Sequence, residues 1–287
     1  MAISLPPPRF PELPGASAPL KLNKALLYLF FPLAPLAPTA SILLPFKECP
    51  ELVATEIEWA LACSSPSSAS GPDTIPNSVC KTINKTAPHI ILKILSPFVS
   101  YGFHAQSLKR ADSIVLDKPG KPSYNSPFSF RVIVLLRTFR KILERIMNNR
   151  LACVARMSGL LNPHQCGSLA GLPVADACTT LSHEVKTLPM DKRKVSTLCL
   201  DIKGGFDNVN PSTPCGMLSA KGVNPYLVSW THSFLMGTSC PLLFQGSAKV
   251  FSPVLVGTPQ GSPVSSLLFV IYVSRLHVQI PVSLTMS

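Results

Sequence analysis

The sequence is short of acidic residues. Its 287 residues include 14 Asp and Glu against 26 Lys and Arg, which gives a formal net charge of +12 at pH 7. This excess favours a polyanionic partner, either nucleic acid or an anionic membrane surface, although a merely basic soluble protein has the same composition. Because 46% of the residues are hydrophobic, the chain can build a sizeable core, and disorder throughout its length is excluded.

The cysteines lack the paired spacing of a zinc site or a disulfide framework. There are nine, an odd number, scattered from Cys49 to Cys240, with no C-x-x-C pair and no Cys/His spacing suited to zinc. This pattern predicts reduced, mostly buried thiols in an intracellular protein, cytoplasmic or nuclear, and not a secreted one.

The sequence also lacks an uninterrupted run of the about 20 apolar residues that a membrane-spanning helix needs. Its best candidate, residues 25–46, is broken by four prolines, and a Pro-containing stretch precedes it, unlike a secretory signal. We therefore expect no membrane partner, and we expect residues 1–46 to form a Pro-rich, disordered leader.

Hydrophobic periodicity predicts helices and strands without a regular βαβ repeat, which is typical of the α+β class. The predicted helices are residues 48–63, 77–85, 88–102, 139–151, 173–185, 211–222, 226–236 and 262–276. The predicted strands are residues 113–116, 130–135, 195–200, 240–244 and 250–254, the first two forming a hairpin with an exposed basic tip.

Most of the positive charge lies in one region. Residues 109–156 contain eleven Lys and Arg but three Asp and Glu, as an electrostatic groove for a nucleic-acid backbone would require. Within the helix 139–151, the basic residues Arg137, Arg140, Lys141 and Arg145 are predicted to lie largely off the apolar face, in solvent.

Residues 197–210, TLCLDIKGGFDNVN, place Asp201 at the C-terminal end of a predicted buried strand. A carboxylate in this position can bind Mg²⁺, which prefers hard oxygen ligands, but it can equally cap the following turn. Asp207 is predicted to be a turn or cap residue, because Asn208, Asn210 and Pro211 beside it are helix-start signals.

A second informative stretch, VGTPQGSPVSSLLFVIYV, contains two glycines and two prolines that predict a tight loop before an apolar helix. Glycine lets the backbone approach a ligand closely, and Gln260 offers both a donor and an acceptor. A plain connection into a helix would use similar residues.

Taken together, LDIKGGFDNV and GTPQGSPVSSLLFVIYV resemble two consecutive sequence blocks of reverse transcriptases, especially those of non-LTR (LINE-like) retrotransposons. Four upstream segments resemble the preceding blocks of the same family in the same order: SSPSSASGPDTIPNSVCK, VLDKPGKP, SFRVIVLLRTFRKILERIMNNRL and NPHQCGSLAGLPVADACTTL. The resemblance covers residues 47–276.

The resemblance implies the right-hand polymerase architecture. Residues 47–190 would form the fingers and the fingers/palm helices, and residues 191–287 a partial palm, with the thumb absent. It also implies RNA-directed DNA synthesis from deoxynucleoside triphosphates (dNTPs), with an RNA template and a DNA primer as partners.

By the same resemblance, Asp201 matches the first catalytic aspartate, which with the backbone carbonyl of Ile202 binds two Mg²⁺ ions. The other matching positions bind the nucleotide. Phe206 would pack under the incoming sugar and disfavour a 2′-hydroxyl, and Gln260 with Gly261 would approach the sugar and the templating strand. Lys118 or Lys121 would contact the triphosphate, and Arg131 would lie over the base and contact phosphate.

The sequence departs from the family pattern at three places. Gly205 stands where alanine is usual, which would loosen the turn, and Ser266 stands where proline is common. The chain ends at IPVSLTMS, where the family continues into a Y-x-D-D block, and no Asp or Glu follows Asp207. The sequence therefore predicts a truncated, inactive polymerase fragment; the alternative is a non-catalytic nucleic-acid-binding remnant that uses the basic fingers surface.

Overall fold

A computed structural model describes residues 48–120, 122, 129–163, 165–187, 202, 205–243, 251–254 and 257–279, with the backbone alone for 239–243, 251–254 and 275–279. The predicted leader 1–46, the predicted strand 195–200, Asp201 and Lys121 lie outside these residues, as does most of the hairpin tip.

The described residues form a mixture of helices and a small sheet, which confirms the α+β class. The helices are α1 (Ala54–Ala62), α2 (Asn77–Thr86), α3 (Pro88–Ser100), α4 (Gln106–Lys109), α5 (Thr138–Met157), α6 (Val174–Thr187), α7 (Ser212–Ala220), α8 (Pro225–Leu235) and α9 (Ser265–Gln279). The strands are β1 (Asp112–Asp117), β2 (Phe130–Leu135), β3 (Thr238–Leu243) and β4 (Phe251–Val254).

The four strands form one sheet in the order β2-β1-β3-β4. Strands β1 and β2 pair antiparallel, from Asp112 opposite Leu135 to Asp117 opposite Phe130, which confirms the predicted hairpin. Strand β3 joins β1 in parallel and pairs antiparallel with β4. The sheet therefore connects the hairpin to the segment that precedes the glycine-containing loop at 257–262.

Helix α5 is the centre of the hydrophobic core. Ile142, Leu143, Ile146, Met147 and Leu151 are each at most 1% exposed. They belong to one cluster with apolar residues of α1, α3, α8 and α9. The helix continues to Met157, beyond the predicted end, since no breaker occurs before Gly159, which has a φ of +61°.

The first helix begins later than predicted, at Ala54 and not near residue 48. Val53 is extended, and its backbone N–H donates to Glu56 Oε2 at 3.3 Å, so the side chain of Glu56 satisfies a donor at the helix start. Residues 48–52 pass over the core as an irregular segment.

The prediction that the basic side chains of α5 lie in solvent is wrong. Arg140 is 0% exposed and ion-paired with Glu144, and Lys141 is 8% exposed. The loop between α1 and α2 covers this side of the helix: Lys141 Nζ donates to Ala69 O at 2.6 Å, and Arg145 Nη1 donates to Ser64 Oγ at 2.7 Å. These cations satisfy polar groups of a covering loop, a role that periodicity along one helix cannot reveal.

The cysteines also differ from the prediction of mostly buried thiols. Seven cysteines have described side chains, all of them free: Cys80 and Cys215 are buried, whereas Cys63, Cys153 and Cys178 are exposed. None of the helices in the described ranges is both long and apolar enough to cross a membrane.

Candidate nucleotide-binding site

Two separate segments contact the loop formed by residues 257–262, here called the PQG loop. Its Gly257 N–H donates to Val209 O at 2.9 Å, and its Thr258 N–H donates to Phe206 O at 2.8 Å. On its other side, the Val134 N–H of β2 donates to Gln260 O at 2.9 Å. The loop is thus attached both to the turn that follows Asp201 in sequence and to the hairpin.

Two glycines make this close approach possible. Gly257 has a φ of +91°, and a Cβ atom there would lie 2.7 Å from Asp207 O. Gly261 has a φ of +119°, and its Cβ would lie 2.9 Å from Val134 O. Any side chain at either position would collide with backbone and adopt a strained φ, so the predicted tight loop is confirmed with a reason for each glycine.

The aromatic residue of the turn is held from below by the helix that follows the loop. The rings of Phe206 and Phe269 stack with centroids 5.0 Å apart and planes inclined by 30°. A Cβ atom on Gly205 would lie 2.6 Å from Phe269 Cζ. The glycine at 205 therefore does more than loosen the turn, because an alanine there would displace the Phe269 ring on which Phe206 stacks.

Asp207 lies in the same turn, as predicted, and is half-buried. Burial raises the pKa of its carboxyl group to about 6, although the positive charge of Lys118 acts in the opposite direction. Lys118, at the end of β1, therefore lies within electrostatic range of the turn. The proximity of these two segments could not be predicted from their separation in sequence.

The basic residues of the hairpin have different environments. Arg131 is exposed and lies opposite Leu116, which is 46% exposed, across the β1–β2 ladder. Lys118 is partly buried, and its backbone N–H donates to Ser129 O at 2.8 Å, which extends the hairpin past β1. The structure thus brings Lys118 close to the turn and leaves Arg131 on the open face of the hairpin.

The described residues do not by themselves fit a two-metal centre. They contain no group of three or more His, Cys, Asp or Glu side chains that could hold a metal ion. Ile202, whose carbonyl is predicted to bind metal, lies among the described residues and is 42% exposed. Its predicted partner Asp201 lies outside them. Asp207, in the turn after Asp201, belongs to no such group of ligands among the described residues.

The PQG loop also has contacts that sequence reasoning missed. Ser262 Oγ donates to Glu144 Oε2 at 2.6 Å, and Ser265 Oγ donates to Pro259 O at 2.9 Å. Ser262 and Glu144 are 118 residues apart, and the apolar period of α5 places no requirement on Glu144. No signal in a single sequence pairs them.

Residues 116–286 match the family described as "Reverse transcriptase (RNA-dependent DNA polymerase)". The chain belongs to this family. The match confirms the resemblance drawn from the ordered sequence blocks, and members of the family generally use divalent metal ions.

Similar proteins come from mobile elements of Drosophila melanogaster. The chain is 26% identical over 228 residues to "Probable RNA-directed DNA polymerase from transposon X-element", which covers 79% of this chain and 24% of the relative. It is 30% identical over 244 residues to "Putative 115 kDa protein in type-1 retrotransposable element R1DM", covering 83% and 22%. It is 25% identical over 218 residues to "RNA-directed DNA polymerase from mobile element jockey", covering 75% and 23%.

These relatives identify a LINE-like reverse transcriptase domain, as the sequence blocks predicted. The chain spans less than a quarter of the length of each of the three.

Proposed function

We propose that residues 47–190 are the fingers and fingers/palm helices, and residues 191–287 part of the palm, of a retrotransposon RNA-directed DNA polymerase. Its ancestral reaction is DNA synthesis from dNTPs on an RNA template and a DNA primer. The observation that carries this proposal is the attachment of the PQG loop to both β2 and the turn after Asp201. It supports a single nucleotide site assembled from the matched family blocks.

In this proposal the hairpin receives the triphosphate. Lys118 supplies a positive charge near the turn, with Lys121 as the alternative, and Arg131 offers a planar, permanently charged guanidinium on the open face of the hairpin. Such a group can lie over a base and contact phosphate at once, which an ammonium cannot do.

The turn and the PQG loop receive the sugar and the templating base. Phe206, supported by Phe269, provides an apolar surface under the sugar. The backbone carbonyl of Gln260 is already used by Val134, so its side-chain amide is the group that would contact the nucleotide or the template. Gly261 lets the loop backbone pass close to β2, since a Cβ atom there would lie 2.9 Å from Val134 O.

We infer that these 287 residues on their own do not elongate a primer. Asp201, with the carbonyl of Ile202, is the position matched to metal binding, and bound divalent ions would activate the primer hydroxyl and stabilise the transferring phosphoryl group. No Asp or Glu follows Asp207 in the sequence. One carboxylate and one carbonyl cannot hold two divalent ions against phosphate charge, and loss of essential members of a catalytic unit removes most of its rate enhancement.

A primer-extension assay with an RNA template, a DNA primer and either Mg²⁺ or Mn²⁺ tests this inference. We expect no elongation by the 287-residue chain. Template-dependent elongation that disappears in Asp201→Ala would overturn the inactivity and support Asp201 as a metal ligand.

A fluorescence assay of dNTP and primer–template binding tests the nucleotide site separately. Lys118→Ala and Arg131→Ala are expected to weaken binding, whereas Lys93→Ala, an exposed lysine on α3, is the matched control. Equal effects of all three substitutions would contradict the assignment of the site to the hairpin.

A second candidate function is non-catalytic nucleic-acid binding, which the net charge of +12 favours. Its surface cannot be the one predicted along α5, because Arg140 and Lys141 are buried there. The exposed cations Arg110 and Arg131 near the hairpin are available instead. Salt-dependent RNA binding that survives Asp201→Ala and weakens in Arg110→Ala and Arg131→Ala would favour this function; unchanged binding in both would count against it.

A further inference from the structure

An ion pair lies inside the domain, away from solvent on all sides. Arg140 and Glu144, one helical turn apart on α5, have side chains that are both 0% exposed, with Arg140 Nε 2.5 Å from Glu144 Oε1. Arg140 Nη1 also donates to Leu108 O at 3.3 Å, and its guanidinium lies 5.7 Å from the centroid of the Phe234 ring. The arginine is thus fixed by three elements, α4, α5 and α8.

This pair is a poor candidate for a device that merely stabilises the fold. Burying two charges carries a large desolvation cost, and well-packed apolar residues in the same place are often as stabilising or more so. The guanidinium also leaves Arg140 Nη2 buried without a hydrogen-bond partner among the described residues. A buried pair with this cost needs another reason, and the best attested reason is that it specifies one conformation.

The second oxygen of the carboxylate identifies that conformation. Glu144 Oε2 accepts a hydrogen bond from Ser262 Oγ at 2.6 Å. The same hydroxyl accepts from the Val264 N–H at 3.2 Å, which occupies an oxygen lone pair and leaves the hydroxyl proton for Glu144. Ser262 directly follows Gly261 at the end of the PQG loop, so the central core helix is tied to this loop by a charge-assisted bond.

We propose that Glu144, held in place by Arg140, is a positioning residue that fixes the PQG loop through Ser262 in the conformation that receives the nucleotide. The proposal rests on the proposed function of the loop. Arg140 orients the carboxylate by its first oxygen, and the carboxylate orients the loop by its second. The loop's bonds to Val134, Phe206 and Val209 end on the hairpin and the turn, and Ser265 at the start of α9 donates to Pro259 O. The bond to Glu144, in contrast, joins the loop to the central helix α5.

Hydrogen exchange of the free protein, measured by mass spectrometry on peptides that cover Val134 and residues 257–264, tests the positioning. Ser262→Ala removes the bridge, and we expect exchange in these peptides to accelerate roughly ten- to a hundredfold, the range for loss of one hydrogen bond to a charged group. Ser262→Thr keeps the hydroxyl and is expected to restore most of the protection.

Ser64→Ala is the matched control. Ser64 is also a buried serine that is hydrogen-bonded to a charged side chain of α5: its hydroxyl accepts from Arg145 and donates to Ala60 O. Neither of these bonds involves the PQG loop. We expect Ser64→Ala to leave exchange in the loop peptides unchanged. If both alanine variants accelerate the whole domain alike, the bridge is a general stabiliser and the positioning role is wrong.

The double variant Arg140→Met with Glu144→Leu separates the two roles further. The Met and Leu side chains are apolar and similar in size to the residues they replace. We therefore expect the core amides of α5 to remain protected from exchange, while the loop peptides lose protection as in Ser262→Ala. Loop peptides that stay protected in both variants would overturn the proposal.

The dNTP affinity of the same variants connects positioning to function. We expect Ser262→Ala to lower it about tenfold, Ser64→Ala to leave it unchanged, and Ser262→Thr to restore it. If the unmodified chain binds no dNTP, the proposed function fails, and the exchange measurements still decide whether Glu144 positions the loop.

Discussion

Arg150 of α5 and Glu56 of α1 form a two-point ion pair, with Nε 2.8 Å from Oε1 and Nη2 2.7 Å from Oε2. The same guanidinium donates to Pro50 O at 2.9 Å and to Glu51 O at 3.0 Å. Burial disfavours the charge on Glu56, yet the hydrogen bond and charge of Arg150 hold the pKa of this carboxyl below its ordinary value. One arginine thus joins the irregular N-terminal segment and α1 to the central helix.

Replacing Arg150 should therefore destabilise the domain more than loss of a surface charge. We expect Arg150→Ala to cost about 2–4 kcal/mol in the free energy of unfolding, because Glu56 and two backbone carbonyls lose their donor in a partly buried place. Arg150→Lys should recover only part, since an ammonium cannot make the paired contact. Urea denaturation measures both. Lys93→Ala, an exposed substitution on α3, is the control and should change stability by less than about 0.5 kcal/mol.

Elements with a strong local pattern were predictable from the sequence. The hairpin strand at residues 130–135 and the helix from Asn77 were predicted correctly because alternation, proline and polar start signals act over a few residues. The burial of Arg140 was not, because it depends on α4 and α8, which contact its guanidinium through Leu108 and Phe234. Local periodicity contains no information about such a cover.

The candidate site divides in the same way. The tight loop with Gly257 and Gly261 was predicted, since glycine and proline reveal backbone geometry directly. Its attachment to Val134 and to Ser262–Glu144 was not, because these contacts join residues far apart in the chain. The roles of all the predicted site residues remain predictions, and Asp201 and Lys121 lie outside the described residues.

Two glycine substitutions should have opposite effects on stability. A Cβ atom at Gly71 would lie 2.5 Å from the carbonyl carbon and oxygen of Leu136 and 2.6 Å from Arg137 N, all backbone atoms that cannot move aside. We expect Gly71→Ala to destabilise by about 1–3 kcal/mol or more. Gly216, inside α7, has nothing within 4 Å of its Cβ position, so Gly216→Ala should stabilise by about 0.5–1 kcal/mol. Thermal unfolding measures both, and a shift of the same sign for the two would contradict this prediction.

The described cysteines should react with iodoacetamide in a fixed order. Burial raises the pKa of the Cys215 thiol to about 12, and burial with the nearby Asp73 charge raises that of Cys80 to about 11. Because the thiolate is the reactive form, both should stay unmodified in the native protein at about pH 8, while the exposed Cys63, Cys153 and Cys178 react. Peptide mass spectrometry over time measures the order. Fast modification of Cys80 or Cys215 without denaturant would show that their surroundings open readily.

His104 should make the domain sensitive to mild acid. It is 0% exposed, edge-on to Trp230 and Phe234, and neither ring nitrogen has a partner among the described residues. Burial, with the charges of Arg140 and Lys109, holds its pKa well below the ordinary 6.5. Below pH 6.5 the unfolded chain therefore binds a proton at His104 that the folded chain does not bind. The contribution of His104 to the free energy of unfolding is constant above pH 6.5 and falls as the pH drops below it. His104→Leu should reduce that fall in chemical denaturation between about pH 7 and pH 5; an unchanged slope would assign the acid sensitivity to other groups.

The ionisation of Asp207 should change stability with pH in the opposite direction to that of His104, and at lower pH. Its folded pKa of about 6 lies above the ordinary 3.8, so the folded chain binds the extra proton, and the stabilisation is fully present below pH 3.8 and lost as the pH rises through 6. Asp207→Asn removes the charge at every pH. The variant should be more stable than the unmodified chain at neutral pH, with a difference that shrinks towards pH 4, and the contribution of His104 cancels in that comparison.

Lys118→Met should enlarge the stability difference that Asp207→Asn makes at neutral pH, because Lys118 is the cation that favours the ionised carboxylate. If Lys118→Met leaves the difference unchanged, the hairpin and the turn are not electrostatically coupled, and the placement of Lys118 beside the proposed nucleotide site loses its support.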